Sequence, residues 1–248
     1  MLENLELLLL IAGIYLLAGF VKGVMGFGLP IITMSLLPFF ASIETAIVLS
    51  AIVQPATNIL QFYTAGQWRE AFRIAKPIML ALVPGVVLGA WLLSFVSSSA
   101  LLVLSGLTIT LHSAYQLLGA RFLISPKWRT ASGIGFGFVA GTVGVLTSLN
   151  GWAFIIYLIA CDVSRNLFRS AIALLFLVSG SLISASFWAT GLLTGELFTI
   201  GMLMLLPAFG GMWIGELVGA RLSNDTFRKL VLVSLVLIGC VIVYRGLQ

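Results

Sequence analysis

Gly19-Phe20-Val21-Lys22-Gly23-Val24-Met25-Gly26-Phe27-Gly28-Leu29-Pro30 ends the first long apolar stretch of the chain and opens a much shorter one. Its beginning recurs as Gly137-Phe138-Val139-Ala140-Gly141-Thr142-Val143-Gly144, which runs on through Thr147-Ser148-Leu149-Asn150-Gly151 into a second short apolar stretch. Another pair follows in the same order, Gly85-x-x-x-Gly89-Ala90-x-Leu92 returning as Gly215-x-x-x-Gly219-Ala220-x-Leu222. The spacing between partners widens from the first pair to the second, so the second half carries insertions. Two related halves, each opening with a glycine ladder that ends at a chain break, are the pattern to be explained.

Composition confines that pattern to a membrane. Of 248 residues 60% are apolar and 8% charged, against about 25% charged in a soluble domain, and the mean hydropathy is +1.17. A soluble protein is excluded, because no water-facing shell covers runs this long. Disorder is excluded as well, since it needs low hydrophobicity and high charge. The 13 Lys and Arg against 8 acids leave a net charge of +5, whose placement says more than its size.

Cutting the chain at its charges and turn residues gives ten apolar segments, at 5–26, 28–40, 44–64, 70–94, 98–119, 131–148, 151–161, 166–190, 196–220 and 227–245. Helical spans need about 20 residues, so the second and seventh have the length of a half-helix, a hairpin arm or a thin crossing. Loop charges decide the parity. Arg69, Arg73 and Lys76, then Arg121, Lys127 and Arg129, then Arg165 and Arg169, then Arg221, Arg228 and Lys229 place eleven of the 13 cations in four loops. Ten crossings with both termini outside put all four loops on the cytoplasmic side and Glu3, Glu6, Glu44 and Glu196 outside, as the positive-inside rule requires. If the short segments dip in and return, the 65–76 and 221–229 loops fall on opposite sides. The expected fold class is therefore an all-α polytopic membrane protein with two inverted-topology repeats of about five helical segments each, one short segment per repeat. Residues 1–120 form the first transmembrane repeat, 121–130 a cytoplasmic linker, and 131–248 the second, inverted repeat. Inverted repeats around a midplane site are characteristic of secondary transporters.

Chain breaks in a membrane interior free backbone groups that survive only where protein or a hydrated cavity satisfies them. The N-terminus of each following short helix offers amides and a positive dipole end suited to an anion. Pro30 fits the first turn of one such helix, and Asn150, Ser148 and Thr147 are placed to cap the other while leaving polar groups for a ligand. Close helix approach is the competing and commoner use of membrane glycines, but the coincidence with both short segments points to a site at the breaks. Candidate substrate-binding residues are Lys22, Gly23, Gly26, Phe27, Gly28, Gln54, Asn58, Thr147, Ser148, Asn150 and Gly151. Lys22 either supplies an anion's counter-charge or snorkels to the interface. Gln54 and Asn58, one turn apart around Pro55, either face a cavity or bond across helices, with Ser179, Ser181 and Ser184 at the corresponding part of the second half. Glu216 either pairs with Arg221 or takes up a proton.

Other chemistry finds little support. His112 is the sole histidine and has no acid in its span or GxSxG sequence to work with, so a hydrolase is not indicated. No GxxxxGK[ST] sequence is present. Cys161 and Cys240 lack metal-ligand spacing and read as small core residues; no catalytic, metal or cofactor site and no nucleic-acid partner is expected. Trp68, Trp91, Trp128 and Trp152 read as interface anchors. The opening MLENLELLLL lacks early Lys or Arg and a cleavage site, so the first helix is expected to stay in the mature protein.

The Gly19-x-x-x-Gly23-x-x-Gly26-Phe27-Gly28-x-Pro30 opening, its echo from Gly137 to Gly151, and Gly215-x-x-x-Gly219-Ala220-Arg221-Leu222 before a polar turn and last helix resemble the TauE/SafE family of sulfite and organosulfonate exporters. The resemblance covers nearly the whole chain. It implies a multi-pass carrier in the cytoplasmic (inner) membrane, moving small sulfur-containing anions outward with protons as coupling ion. Where family members often have a glycine-rich run in the second repeat, this chain has Thr147-Ser148-Leu149-Asn150-Gly151. An uncoupled anion channel and a structural membrane subunit are the alternatives: the first would share the amide-lined breaks, the second would lose nothing when they are altered.

Overall fold

A computed structural model describes residues 4–119, 122–219 and 224–248, with the side chains of 224–228 undescribed. The expected placements of Glu3, Arg121, Arg221 and the Arg228 side chain, the Glu216–Arg221 pair, and the Ala220-x-Leu222 end of the second glycine motif lie outside the described residues. The fold is all helical among those residues: α1 (Leu5–Met25), α2 (Leu29–Leu36), α3 (Ile43–Ala65), α4 (Trp68–Leu93), α5 (Ser98–Leu118), α6 (Arg129–Thr147), α7 (Gly151–Ala160), α8 (Arg165–Ala189), α9 (Gly195–Gly219) and α10 (Asn224–Gly246). Eight are long and apolar enough to cross a membrane, while α2, extended by a 3₁₀ turn to Phe39, and α7 are short. Each helix starts and stops within about one turn of the apolar segment that announced it. Asn4, Ser42, Ser97 and Ser164 cap α1, α3, α5 and α8 by accepting from the backbone N–H three residues on, the side-chain oxygen satisfying a donor that the first turn leaves free.

Helices pack in pairs: α1 on α9, α4 on α6, α3 on α8, and α5 on α10, with α3 also touching α9 and α8 touching α4. Exchanging α1–α5 for α6–α10 maps this set of pairs onto itself. The glycine ladders make the two closest seams. A Cβ placed at Gly19 would lie 2.1 Å from the Ala208 carbonyl oxygen, at Gly23 2.3 Å from that of Met212, and at Gly215 2.2 Å from that of Phe20. In the α4–α6 seam the equivalents are Gly137 on Ile78 at 2.3 Å, Gly141 on Leu82 at 2.7 Å, and Gly85 on Phe138 at 2.3 Å. Each ladder of one half thus meets the second glycine motif of the other. Backbones approach this closely only where side chains are absent, and van der Waals contact then replaces the hydrophobic drive that lipid does not provide.

The cationic loops gather at one end of the bundle. Ser170 of α8 donates to the Gly66 carbonyl. Glu70, Arg73, Arg129, Tyr157 and Leu167 surround one cavity there, and Arg165, Arg169, Glu216 and Gly219 border another. The 65–76 loop and the end of α9 therefore share an end. At the opposite end Ser98 donates to the Glu44 carboxylate, and Arg245 donates to the Pro38 carbonyl at 3.1 Å while lying 4.8 Å from the Phe39 ring centroid.

Two expectations need correction. Cys161 is buried but Cys240 is exposed, because α10 packs one face on α5 and turns the other outward, where apolarity means lipid rather than core. Trp68, Trp91 and Trp128 are exposed near helix ends as anchors, whereas Trp152 lines an internal cavity, since the first turn of α7 lies inside the bundle rather than at its edge.

Candidate functional site

Both chain breaks turn on left-handed backbone, two residues in the first and one in the second. In the first, Gly26 adopts φ +81°, its amide closes onto the Lys22 carbonyl at 2.7 Å, and Gly28 at φ +110° starts α2 with Pro30 in its first turn. Glycine carries both torsions without the Cβ penalty. In the second, Ser148 takes φ +54° and its amide reaches the Gly144 carbonyl at 2.8 Å, followed by Leu149, Asn150 and the start of α7 at Gly151.

One face of α3 holds both breaks. Gln61 Nε2 donates to the Gly26 carbonyl at 2.8 Å and Gln54 Nε2 to the Ser148 carbonyl at 3.4 Å. The Ser148 hydroxyl donates to the Ile47 carbonyl at 2.7 Å. A Thr33–Ser50 hydroxyl pair at 2.7 Å ties α2 to the same helix. Two of these bonds answer a carbonyl that a break exposes, as irregular chain at membrane depth requires. Thr57 and Gln61 escaped the sequence reading, although positions 54, 57, 58 and 61 repeat at helical spacing and were there to be read.

Between the two breaks Phe27, Gly28 and Pro30 line a small cavity together with Leu149, Gly151 and Trp152, Thr108, Ile109 and His112 of α5, and Phe176 of α8. It measures about 10 Å³, room for about one water. Phe176 packs so tightly that a Cβ at Gly151 would sit 2.6 Å from its ring. His112 is buried, its Nε2 2.7 Å from Gln116 Nε2.

Lys22 is buried on α1 next to the first break. Its Nζ donates to the Thr57 carbonyl at 3.3 Å and to Thr57 Oγ1 at 3.2 Å, and no carboxylate pairs with it among the described residues. Of the two readings left open for Lys22, snorkelling does not describe a side chain that turns inward onto α3. Gln54 and Asn58 are buried, with Asn58 Nδ2 on the Gln54 carbonyl at 2.7 Å. Gln54 Oε1, Asn58 Oδ1 and both polar atoms of Asn150 have no partner among the described residues.

Asn150 does not cap α7 with its side chain. Its own backbone is helical, φ −95° and ψ −13°, whereas a side chain reaches the N2 and N3 amides from an extended residue. Thr147 instead accepts from the Leu149 amide at 3.1 Å while donating to the Val143 carbonyl. The candidates thus fall into linked groups: Lys22 with α3; Gln54, to whose carbonyl Asn58 donates, joined to Ser148 at the second break, where Thr147 and Asn150 also lie; and Phe27, Gly28 and Gly151 on the small cavity. Gly23 lies in the α1–α9 seam, and with Gly26 it also borders the cavity at the cationic end. No cluster of three or more His, Cys, Asp or Glu suited to a metal ion occurs among the described residues.

A family sequence model described as "Sulfite exporter TauE/SafE" matches residues 11–242. No curated protein and no solved structure matches the chain.

Proposed function

The chain belongs to the sulfite exporter TauE/SafE family, and from that premise we propose that it carries sulfite or a small organosulfonate across the cytoplasmic membrane by exposing the two breaks alternately. The observation that carries this reading is Lys22. An ammonium at membrane depth costs roughly 2.5–3.5 kcal/mol, and among the described residues its bonds go to one threonine. An anion arriving at the break would supply the missing charge. The unpartnered Asn150 amide adds a donor, while Gln54 Oε1, Asn58 Oδ1 and Asn150 Oδ1 are acceptors. A ligand with an anionic head and a hydrogen to donate, such as hydrogensulfite or a hydroxy- or ammonio-sulfonate, answers both requirements; sulfate answers only the first.

The self-mapping packing pairs and matched glycine seams support two inverted repeats, with residues 1–120 and 131–248 as the halves. The cationic end then faces the cytoplasm and both termini lie outside. Protons are the coupling ion in this reading. A space between the breaks with room for only about one water favours a carrier over an open channel. The test is flux in proteoliposomes with sulfite, isethionate, taurine, methanesulfonate and sulfate. Saturable movement of sulfite, isethionate or taurine, accelerated by an imposed proton gradient and lost on altering both breaks, is the expected result. Linear, unsaturated flux would identify a channel, and no flux at all would overturn the transport reading.

A further inference from the structure

We propose that Arg165 and Arg169 form a second anion site, bordering the first break, that loads the carrier from the cationic end; the proposal rests on the anion-transport reading above. Beside the first break lies a cavity of about 500 Å³, bordered by Gly23 to Gly26 of α1, Arg165 and Arg169 of α8, and Glu216 and Gly219 of α9. That is ample for a small hydrated oxyanion, a water's share of liquid being about 30 Å³. The two arginines sit in the first two turns of α8, one turn apart. Both features are unfavourable for an empty helix. Cations are disfavoured at a helix N-terminus, and like charges at i,i+4 repel. Neither guanidinium bonds or pairs with another described residue, and Glu216 on the facing wall leaves a net charge of +1 on the described lining. An oxyanion offers what the protein does not: planar guanidinium forks bind two oxygens at once, and the helix dipole then adds to the attraction. Lys22, just before Gly23, continues the positive path inward.

The opposite end of the bundle contains the counterpart. Ser42 caps α3 as Ser164 caps α8, so Ile43 and Ile47 take the places of Arg165 and Arg169. The cavity there, about 240 Å³, has Ile47, Val48, Leu93 and Phe187 in its wall and the Glu44 carboxylate as its charge. An anion is drawn in at one mouth and not retained at the other, a bias suited to export.

The experiment uses the full chain in proteoliposomes with sulfite supplied from either side. In R165Q/R169Q, half-saturation from the arginine end should rise about tenfold, with each single variant giving about threefold, the modest effect expected of an exposed charge. Maximal rate and half-saturation from the Glu44 end should not change. E216Q should act in the opposite sense and lower half-saturation from the arginine end. Both arginines are exposed, so folding should survive and is checked by thermal melting. Unchanged half-saturation from both ends, or an equal loss from both, overturns the proposal. Vesicles of phosphatidylcholine alone, compared with vesicles containing phosphatidylglycerol, separate the free anion from a lipid headgroup: dependence on the arginines in both supports the site, and dependence only with the anionic lipid overturns it. If the parent protein moves none of the anions, the transport reading fails on its own. Equilibrium binding of inorganic sulfate to the full chain in nanodiscs still reads the arginine site, expected in the parent and lost in R165Q/R169Q; equal binding by both overturns it.

Discussion

Replacing Lys22 by Met should make the empty protein more stable and the anion-binding protein worse. Burying the ammonium costs roughly 2.5–3.5 kcal/mol. Its two bonds to Thr57, at 3.2 and 3.3 Å, are longer than the 2.7–2.9 Å of a good charge-assisted bond and together offset roughly 1 kcal/mol. About 2 kcal/mol is left uncompensated until an anion arrives. Methionine has a similar length and fills irregular space. Thr57 is not orphaned by the change, because its hydroxyl also donates to the Val53 carbonyl at 3.0 Å. Unfolding in nanodiscs without anion should therefore show Lys22→Met gaining about 2 kcal/mol over the parent. Sulfite at a hundred times its Kd should stabilise the parent by about 2.7 kcal/mol, and that increment should vanish in the variant. Lys22→Gln, which keeps a donor, should lose affinity only in part. A Lys22→Met protein that is less stable when empty and still gains stability with sulfite would show that the ammonium serves the fold and not the ligand.

Gly23→Ala and Gly141→Ala should each destabilise by roughly 1–3 kcal/mol through overpacking, since a Cβ there meets a carbonyl oxygen at 2.3 and 2.7 Å, whereas Gly13→Ala, with open space around it, should be neutral in the same melting assay. Asn150→Ala removes two unpartnered polar atoms; its melting temperature should hold or rise while sulfite affinity falls. Gly28→Val and Gly151→Val should abolish transport, the first through its φ of +110° and the second through the Phe176 ring, and each must be shown to insert and melt near the parent before its flux is read. Single cysteines at positions 73 and 165 should label from one side of intact cells with an impermeant reagent, and those at 44 and 196 from the other; labelling of 73 and 44 from the same side would sink the ten-crossing arrangement.

Helix limits were legible because the apolar runs are punctuated by groups whose preference is local. Ser42, Ser97 and Ser164 cap the helices that follow them, and the charges cluster in the turns between. Glycine seams were half legible: the repeats in spacing were visible, but the pairing of each ladder with the other half's second motif depends on an exchange that no window of sequence contains. The candidate site was least legible where tertiary contact sets the role. Arg165 and Arg169 read as loop charges until folding placed them beside Gly26, far away in the chain. Trp152 read as an anchor because its segment end was taken for a membrane edge. Asn150 read as a cap because its residue type favours one, yet the backbone torsion decides whether the side chain can reach.

The two breaks differ by one turn of helix, and that turn accounts for the one-sided charge. From the seam glycine Gly23 the left-handed residue Gly26 comes within the same turn, while from its counterpart Gly141 the helix runs a turn further to Ser148. One turn before each left-handed residue stands the position whose carbonyl its amide closes onto, Lys22 in the first half and Gly144 in the second. Lysine there turns its charge onto α3. Glycine there leaves space that the Asn150 side chain takes, its Cβ and Nδ2 lying 3.2 and 3.3 Å from where a Cβ would stand on Gly144. A side chain at position 144 would expel Asn150, and a second buried ammonium would face the first with no carboxylate nearby. In the proposed reading that extra turn gives the site one charged wall at Lys22 and one neutral, hydrogen-bonding wall at Asn150. On that reading a monoanion meets a single positive charge there, and the loaded interior stays close to neutral.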